Sequence, residues 1–129
     1  MVDGLTVKDL EMEGCKKYIC PNLNLIDLKG RELKISDKAI KRARDLADQY
    51  VKKTYQRPHY PSIKRVIPAF IYVASILEDD WKDRKTQLEV SEAFETTEGT
   101  VRKWYRDIIE TLNIRKDIID KIGYDPTNK

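Results

Sequence analysis

One run of residues limits what this chain can become. From Val66 to Leu77 stand 12 residues that are apolar except for Pro68 and Ser75, and Ile63 precedes them by three positions. Wrapped as a helix, this stretch has no polar face, and a helix without a polar face sits inside a body that covers it on all sides. It falls short of the ~18 apolar residues that span a bilayer. The remaining sequence must therefore supply the covering elements. Pro68 interrupts the pattern, so the helix either starts there or is kinked there.

The covering elements read as helices. Alternation of apolar and polar residues is sustained nowhere, and the one Asp-Gly pair, Asp3-Gly4, has no alternating runs on both sides to make a hairpin. From Ser36, a good N-cap, to Tyr55, the residues Ile40, Ala43, Leu46, Ala47, Tyr50 and Val51 fall on one stripe, with Lys38, Lys41, Arg42, Arg44, Lys52 and Lys53 opposite. Asn22 to Leu33 gives a further helix with Leu23, Ile26 and Leu33 inward, although Gly30 stands inside it. Thr86 and Glu89 form a capping box for a short helix to about Phe94. Thr97 caps another, in which Val101, Trp104, Tyr105, Ile108, Ile109 and Leu112 face inward. A short helix follows Asn113, with Gly123 as its C-cap. Residues 3–20 could add one more around Val7, Leu10, Tyr18 and Ile19. The expected fold is all-α.

Composition removes most enzyme classes. At 129 residues the chain has room for one domain that folds without metals or disulfides. It has one histidine, His59, read as a surface loop residue, and two cysteines, Cys15 and Cys20. A closed zinc site needs four ligands, so the two cysteines read as buried apolar thiols, with a disulfide or a shared metal as alternatives. No nucleophile turn, Gly-rich phosphate loop or pair of histidines at metal spacing appears. The expectation is no catalysis, no cofactor and no bound metal. The N-terminus is acidic without a continuous apolar stretch, unlike a secretory signal, and a soluble cytoplasmic protein follows.

The net charge of +3 hides an asymmetry. Residues 36–66 hold nine basic and three acidic side chains, whereas residues 67–99 hold three basic and eight acidic. Blocks of opposite sign suit a polyanion on one face and a basic partner on the other, or are two solvated helix faces.

The pair of short helices over residues 86–112 fits a helix-turn-helix. With Gln87 as position one, the unit wants apolar residues at four, eight, ten, fifteen and eighteen, a small one at five and a turn former at nine. Val90, Ser91, Phe94, Val101 and Trp104 fit; Glu95 and Thr96 do not. Ser91 leaves room for the crossing helix. Thr97, Glu98, Gly99, Arg102, Lys103 and Arg106 are then presented outward, and Arg or Lys there reach guanine edges or phosphates. Thr86 and Gln87 start the first helix, where backbone N–H groups meet phosphate.

The run TQLEVSEAFETTEGTVRKWYRDIIETLNI closely resembles the end of a cyclin-box repeat in archaeal transcription factor B, the homologue of the eukaryotic general transcription factor IIB. VIPAFIYVAS resembles that family's buried central helix and LKISDKAIKRARDLADQYVKK its second, with NLNLIDLKGREL in the place of the first. The resemblance implies a cyclin-like five-helix domain over residues 22–114, an N-terminal arm or extra helix over 1–21, and a short helix and tail over 115–129. It covers one repeat, closer to the family's last than to its first. The family's zinc ribbon and second repeat have no counterpart in a chain of this length. Of the family's base-reading pair, the Arg matches Arg102, but the apolar residue three positions earlier falls on Gly99.

The resemblance implies a DNA-binding transcription regulator of an archaeon or archaeal virus, associated with the nucleoid. Arg102 and Lys103 would approach bases of double-stranded DNA, and Arg106, Thr86, Gln87, Lys82, Arg84 and Lys85 its backbone. Partners would be the TATA-binding protein, another basal transcription protein, or a second copy joined through residues 1–21 or the tail. The alternative is a cyclin-box adaptor, or a competitor of the basal factor, that binds protein and not DNA. Glu92, Glu95 and Glu98, close to the proposed reading surface, argue for it.

Overall fold

The computed structural model describes residues 20–54 and 63–124, with only the backbone given for residues 20–23 and 63. The readings for Cys15, the Cys20 side chain, the 3–20 helix, His59 and residues 125–129 lie outside the described residues. The described residues form α1 (Cys20–Glu32), α2 (Asp37–Thr54), α3 (Ile63–Glu78), α4 (Gln87–Ala93), α5 (Glu98–Thr111) and α6 (Arg115–Ile122), and contain no strand. This all-α arrangement agrees with the cyclin-like expectation.

The apolar helix α3 is the axis. Every residue from Val66 to Ile76 is buried, and α3 touches each of the other described helices. Pro68 neither starts α3 nor ends it: the helix begins five residues earlier and runs through the proline. Pro68 cannot donate to the carbonyl of Lys64, one turn back, and that turn lies at the surface, where water can take its place. The ring itself is buried, which makes it a packing group.

The amphipathic helix α2 lays Ala39, Ile40, Ala43, Leu46, Ala47, Tyr50 and Val51 on the core. Its start is capped as expected, with Ser36 Oγ accepting from Ala39 N at 3.0 Å. The same serine also ties α2 to the far end of α3. Asp79, only 4% exposed, accepts from Ser36 N at 3.2 Å and from the Ser36 hydroxyl. A buried carboxylate thus sits at the N-terminus of α2 and accepts both hydrogen bonds there. Across the core, the Tyr50 ring meets Phe70 edge-on at 5.5 Å, and its hydroxyl donates to Asp107 on α5.

Three helices end by one device. Lys34, Glu95 and Asn113 adopt φ of 62°, 53° and 56°, and the following amide bonds back five residues: Ile35 to Gly30, Thr96 to Ser91, Ile114 to Ile109. This is the Schellman closure, normally given to glycine. Glu95, the misfit at position nine of the template, therefore occupies a left-handed turn position despite its side chain. Gly30 has a different reason. A Cβ there would lie 2.8 Å from Ile40 Cγ1, so the glycine lets α1 approach α2.

The short helix expected after Asn113 forms α6, which packs on α3 and buries Ile118 completely. Gly123, with φ of 85°, caps it as read from the sequence.

Two substitutions involving glycine should move stability in opposite directions. Glu95→Gly relieves the left-handed strain and raises the unfolding free energy by up to ~1 kcal/mol. Gly30→Ala drives a methyl into Ile40 and lowers it by about 1–3 kcal/mol, less a gain in helix propensity. Thermal denaturation of both variants checks this; a Gly30→Ala protein as stable as the wild type would refute the close approach.

Tyr105 is completely buried, packs edge-on against Tyr72 at 5.3 Å, and its hydroxyl has no hydrogen-bond partner. Burial pushes its ionisation far above the ordinary 10.0, and burial raises Tyr72 as well, opposed by a hydrogen bond from Gln87. Both stay neutral when folded, whereas the unfolded chain ionises them from about pH 10. Their share of stability is therefore complete below that pH and lost as pH rises above it. Tyr105→Phe should leave the melting midpoint at neutral pH unchanged or raise it, by up to ~1 kcal/mol for the orphan hydroxyl removed, and should flatten the loss above pH 10. A clearly lower midpoint at neutral pH would mean that the hydroxyl is partnered.

Candidate nucleic-acid interface

Local chemistry builds the helix-turn-helix. Thr86 Oγ1 accepts from Glu89 N and Glu89 Oε1 from Thr86 N, both at 3.0 Å, completing the capping box. Thr97 Oγ1 accepts from Thr100 N at 3.1 Å and opens α5. Ser91 is 2% exposed and turns its hydroxyl back to the Leu88 carbonyl, which leaves the small surface that the helix pair needs. Val90 and Val101 are buried as the template requires, whereas Phe94 and Trp104 are only partly so.

The link from α3 to α4 is pinned from below. Lys85 N donates to the buried Ser75 Oγ at 2.9 Å, and Arg84 Nε to the Asp79 carbonyl at 3.2 Å. Asp83 and Arg84 amides close a turn on the Asp80 carbonyl at 2.8 and 3.0 Å. This holds Arg84 and Lys85 beside the start of α4.

There Arg84, Lys85, Thr86, Glu98 and Arg102 line one groove of about 530 Å³. The expected site residues do not all share it. Lys82 is fully on the surface, and Arg106, one turn beyond Arg102, is exposed on α5. Lys103 follows Arg102 directly yet lines a different groove, its Nζ lying 4.9 Å from the Trp104 ring centroid. Gln87 is 9% exposed, and its side chain reaches inward to the Tyr72 hydroxyl at 3.4 Å, so only its backbone is left to meet a ligand. The capping box likewise uses the Thr86 hydroxyl. Thr97 and Gly99 are exposed, and a Cβ on Gly99 would meet nothing nearer than Thr97 Oγ1 at 3.8 Å. Neither packing nor backbone requires glycine there.

Sequence reasoning missed the apolar half of this groove. Trp81, Leu88 and Tyr124 line it, exposed by 78%, 50% and 63%. Few large apolar side chains elsewhere among the described residues are as open. The signal lay in the charged link EDDWKDRK, where an indole among seven charged residues has no core to enter.

Among the described residues, no helix is long and apolar enough to cross a membrane, and no cluster of three or more His, Cys, Asp and Glu could hold a metal ion.

No family model matches the chain, and no solved structure matches it. Curated proteins do. Transcription initiation factor IIB of Pyrococcus furiosus is 32% identical over 130 aligned residues, covering 92% of this chain and 42% of that protein. Transcription initiation factor IIB 2 of Thermococcus kodakarensis is 31% identical over 74% of this chain and 30% of its own length. With the Methanopyrus kandleri factor, identity rises to 45% over 49 residues, 38% of this chain. The chain thus spans less than half the length of these relatives. Matched over 92% of its length to a relative that is 32% identical, the chain belongs to the transcription initiation factor IIB family.

Proposed function

We propose that this protein is a DNA-binding transcription regulator that engages double-stranded DNA through the helix-turn-helix of α4 and α5. The observation that carries the reading is the groove beside α5, which Arg102 lines together with Arg84 and Lys85. Three cations converge on one opening, against a single lining acid, Glu98. In this reading Arg102 reaches a base edge in the major groove, with Arg106 further along the same helix. Arg84, Lys85 and Lys82 lie along the phosphates, and so do those amides at the start of α4 that the capping box does not use. Lys103, which lines the groove on the other side of α5, takes no part in this surface. Trp81 adds an apolar contact to a sugar or base.

Glu98 bears on the adaptor alternative, because it stands inside the cationic groove. It also has a structural use: an acid in the first turn of α5 offsets the positive end of that helix. Glu89 is likewise spent in the capping box. Glu98 is thus explained without a basic partner, and Glu92 and Glu95 do not line the cationic groove, which favours the DNA reading. The similarity to transcription initiation factors supports a role in transcription. A single reading unit gives little affinity, so a basal transcription protein such as the TATA-binding protein, or a second copy of this chain, would act with it.

Titrating a labelled duplex against salt tests the reading. Binding should weaken steeply with salt, and each of Arg84→Ala and Lys85→Ala should reduce the slope by ~0.9 log units if its side chain lies on a phosphate. Arg102→Ala should cost about 1–3 kcal/mol and relax sequence preference. Trp81→Ala should weaken binding by about 1 kcal/mol of lost apolar contact and leave the salt slope unchanged, since it carries no charge. Absence of any shift at micromolar protein and low salt would favour the adaptor.

A further inference from the structure

The groove into which Lys103 points is independent of the DNA surface. It lies on the other side of α5, where the helix-turn-helix turn meets α1 and the start of α3, and has a volume of about 660 Å³. Its floor is apolar: Pro68 from α3, Phe94 from the turn and Trp104 from α5. Phe94 and Trp104 hold template positions eight and eighteen, which should be interior. Here each packs on the core with one face and is left partly open. The rim is basic. Lys64 and Arg65 stand exposed at the start of α3, Lys29 lies 5.9 Å from the Phe94 ring centroid, and Lys103 lies over Trp104. One lining acid, Glu95, opposes these four cations, and Lys29 is also paired with Glu32 at 3.1 Å.

We propose that this groove docks an acidic peptide segment of a partner protein, one that carries a bulky apolar or aromatic anchor between its acids. The anchor would fill the floor formed by Phe94, Trp104 and Pro68, and the acids would meet the rim. Floor and rim select the same ligand. An apolar floor of this size holds one or two large side chains, which desolvate there as the anchors of protein interfaces do. The excess of positive charge around it selects acids on either side of the anchor. A duplex backbone offers the charge but nothing to fill the floor. The proposal does not depend on DNA binding by α5, because the residues that line the two grooves are different.

The test uses the full chain and a fluorescent peptide with one Phe between runs of Asp and Glu. Two control peptides carry Ala for the Phe, or Asn and Gln for the acids. Fluorescence anisotropy should show binding of the first peptide and at least about tenfold weaker binding of both controls. Lys64→Glu with Arg65→Glu, both exposed and outside the groove that Arg102 lines, should weaken the first peptide by a similar factor while leaving the thermal midpoint and duplex binding unchanged. Failure of the peptide to bind the wild type, or equal binding by the charge-reversed variant, would overturn the proposal. Loss of duplex binding in that variant would give the groove to nucleic acid instead. Loss of self-association, read by sedimentation, would give it to a second copy. Either result also overturns the proposal.

Discussion

Burial of α3 on every side is the constraint on which the rest of the molecule depends. An apolar side chain of the size of Phe70, Ile71 or Ile67 contributes about 1.5–3 kcal/mol when removed from water, and α3 presents such residues around its whole circumference. No single partner can cover a helix of that kind. Hence α2 lies along one side and α5 along another, while α1, α4 and α6 close the remainder. Because α5 is one of the covering helices, its inward stripe of Val101, Tyr105, Ile108 and Ile109 is fixed by contact with the core. Its outward positions are fixed by the same contact, and Arg102 and Arg106 are where they are because Tyr105 and Ile109 are buried.

The ends of α3 do the rest of the positioning. Asp79, just past its C-terminus, is anchored by Ser36, and the link that follows is tied back through Ser75 and the Asp79 carbonyl. The cations Arg84 and Lys85 are thereby carried on a held segment at the mouth of the groove that Arg102 shares. At the other end, Lys64, Arg65 and Pro68 border the second groove. The two grooves flank one helix, α5, and neighbouring residues on it, Arg102 and Lys103, serve different ones.

Features set by a few consecutive residues were legible in the sequence. The caps at Ser36, Thr86 and Thr97, the capping-box partner Glu89 and the final Gly123 all act within one helical turn, so residue type and spacing suffice to place them. The burial of α3 was legible because it is a property of the helix alone. Features set by distant neighbours were not. Nothing near Gly30 announces Ile40 as its neighbour, and nothing near Asp79 announces Ser36, 43 residues away. Pro68 read as a helix start or a kink because a proline removes a hydrogen bond; the helix does not start there, and packing carries it through the proline. Gln87 starts a helix, and nothing near it in the sequence announces that its side chain turns inward to the Tyr72 hydroxyl, 15 residues earlier. Glu95 failed a rule based on glycine, and the hydrogen bond from Thr96 to Ser91 holds it in glycine's conformation.

The central functional claim is that Arg102 reads DNA sequence from a rigidly placed α5. Selection of bound duplexes from a random pool, run in parallel with wild type and Arg102→Ala, addresses it directly. The account predicts that the wild type enriches a short preferred element and that the variant still recovers duplex but loses preference at one or two adjacent base pairs. Enrichment of the same element to the same degree by both proteins would contradict it.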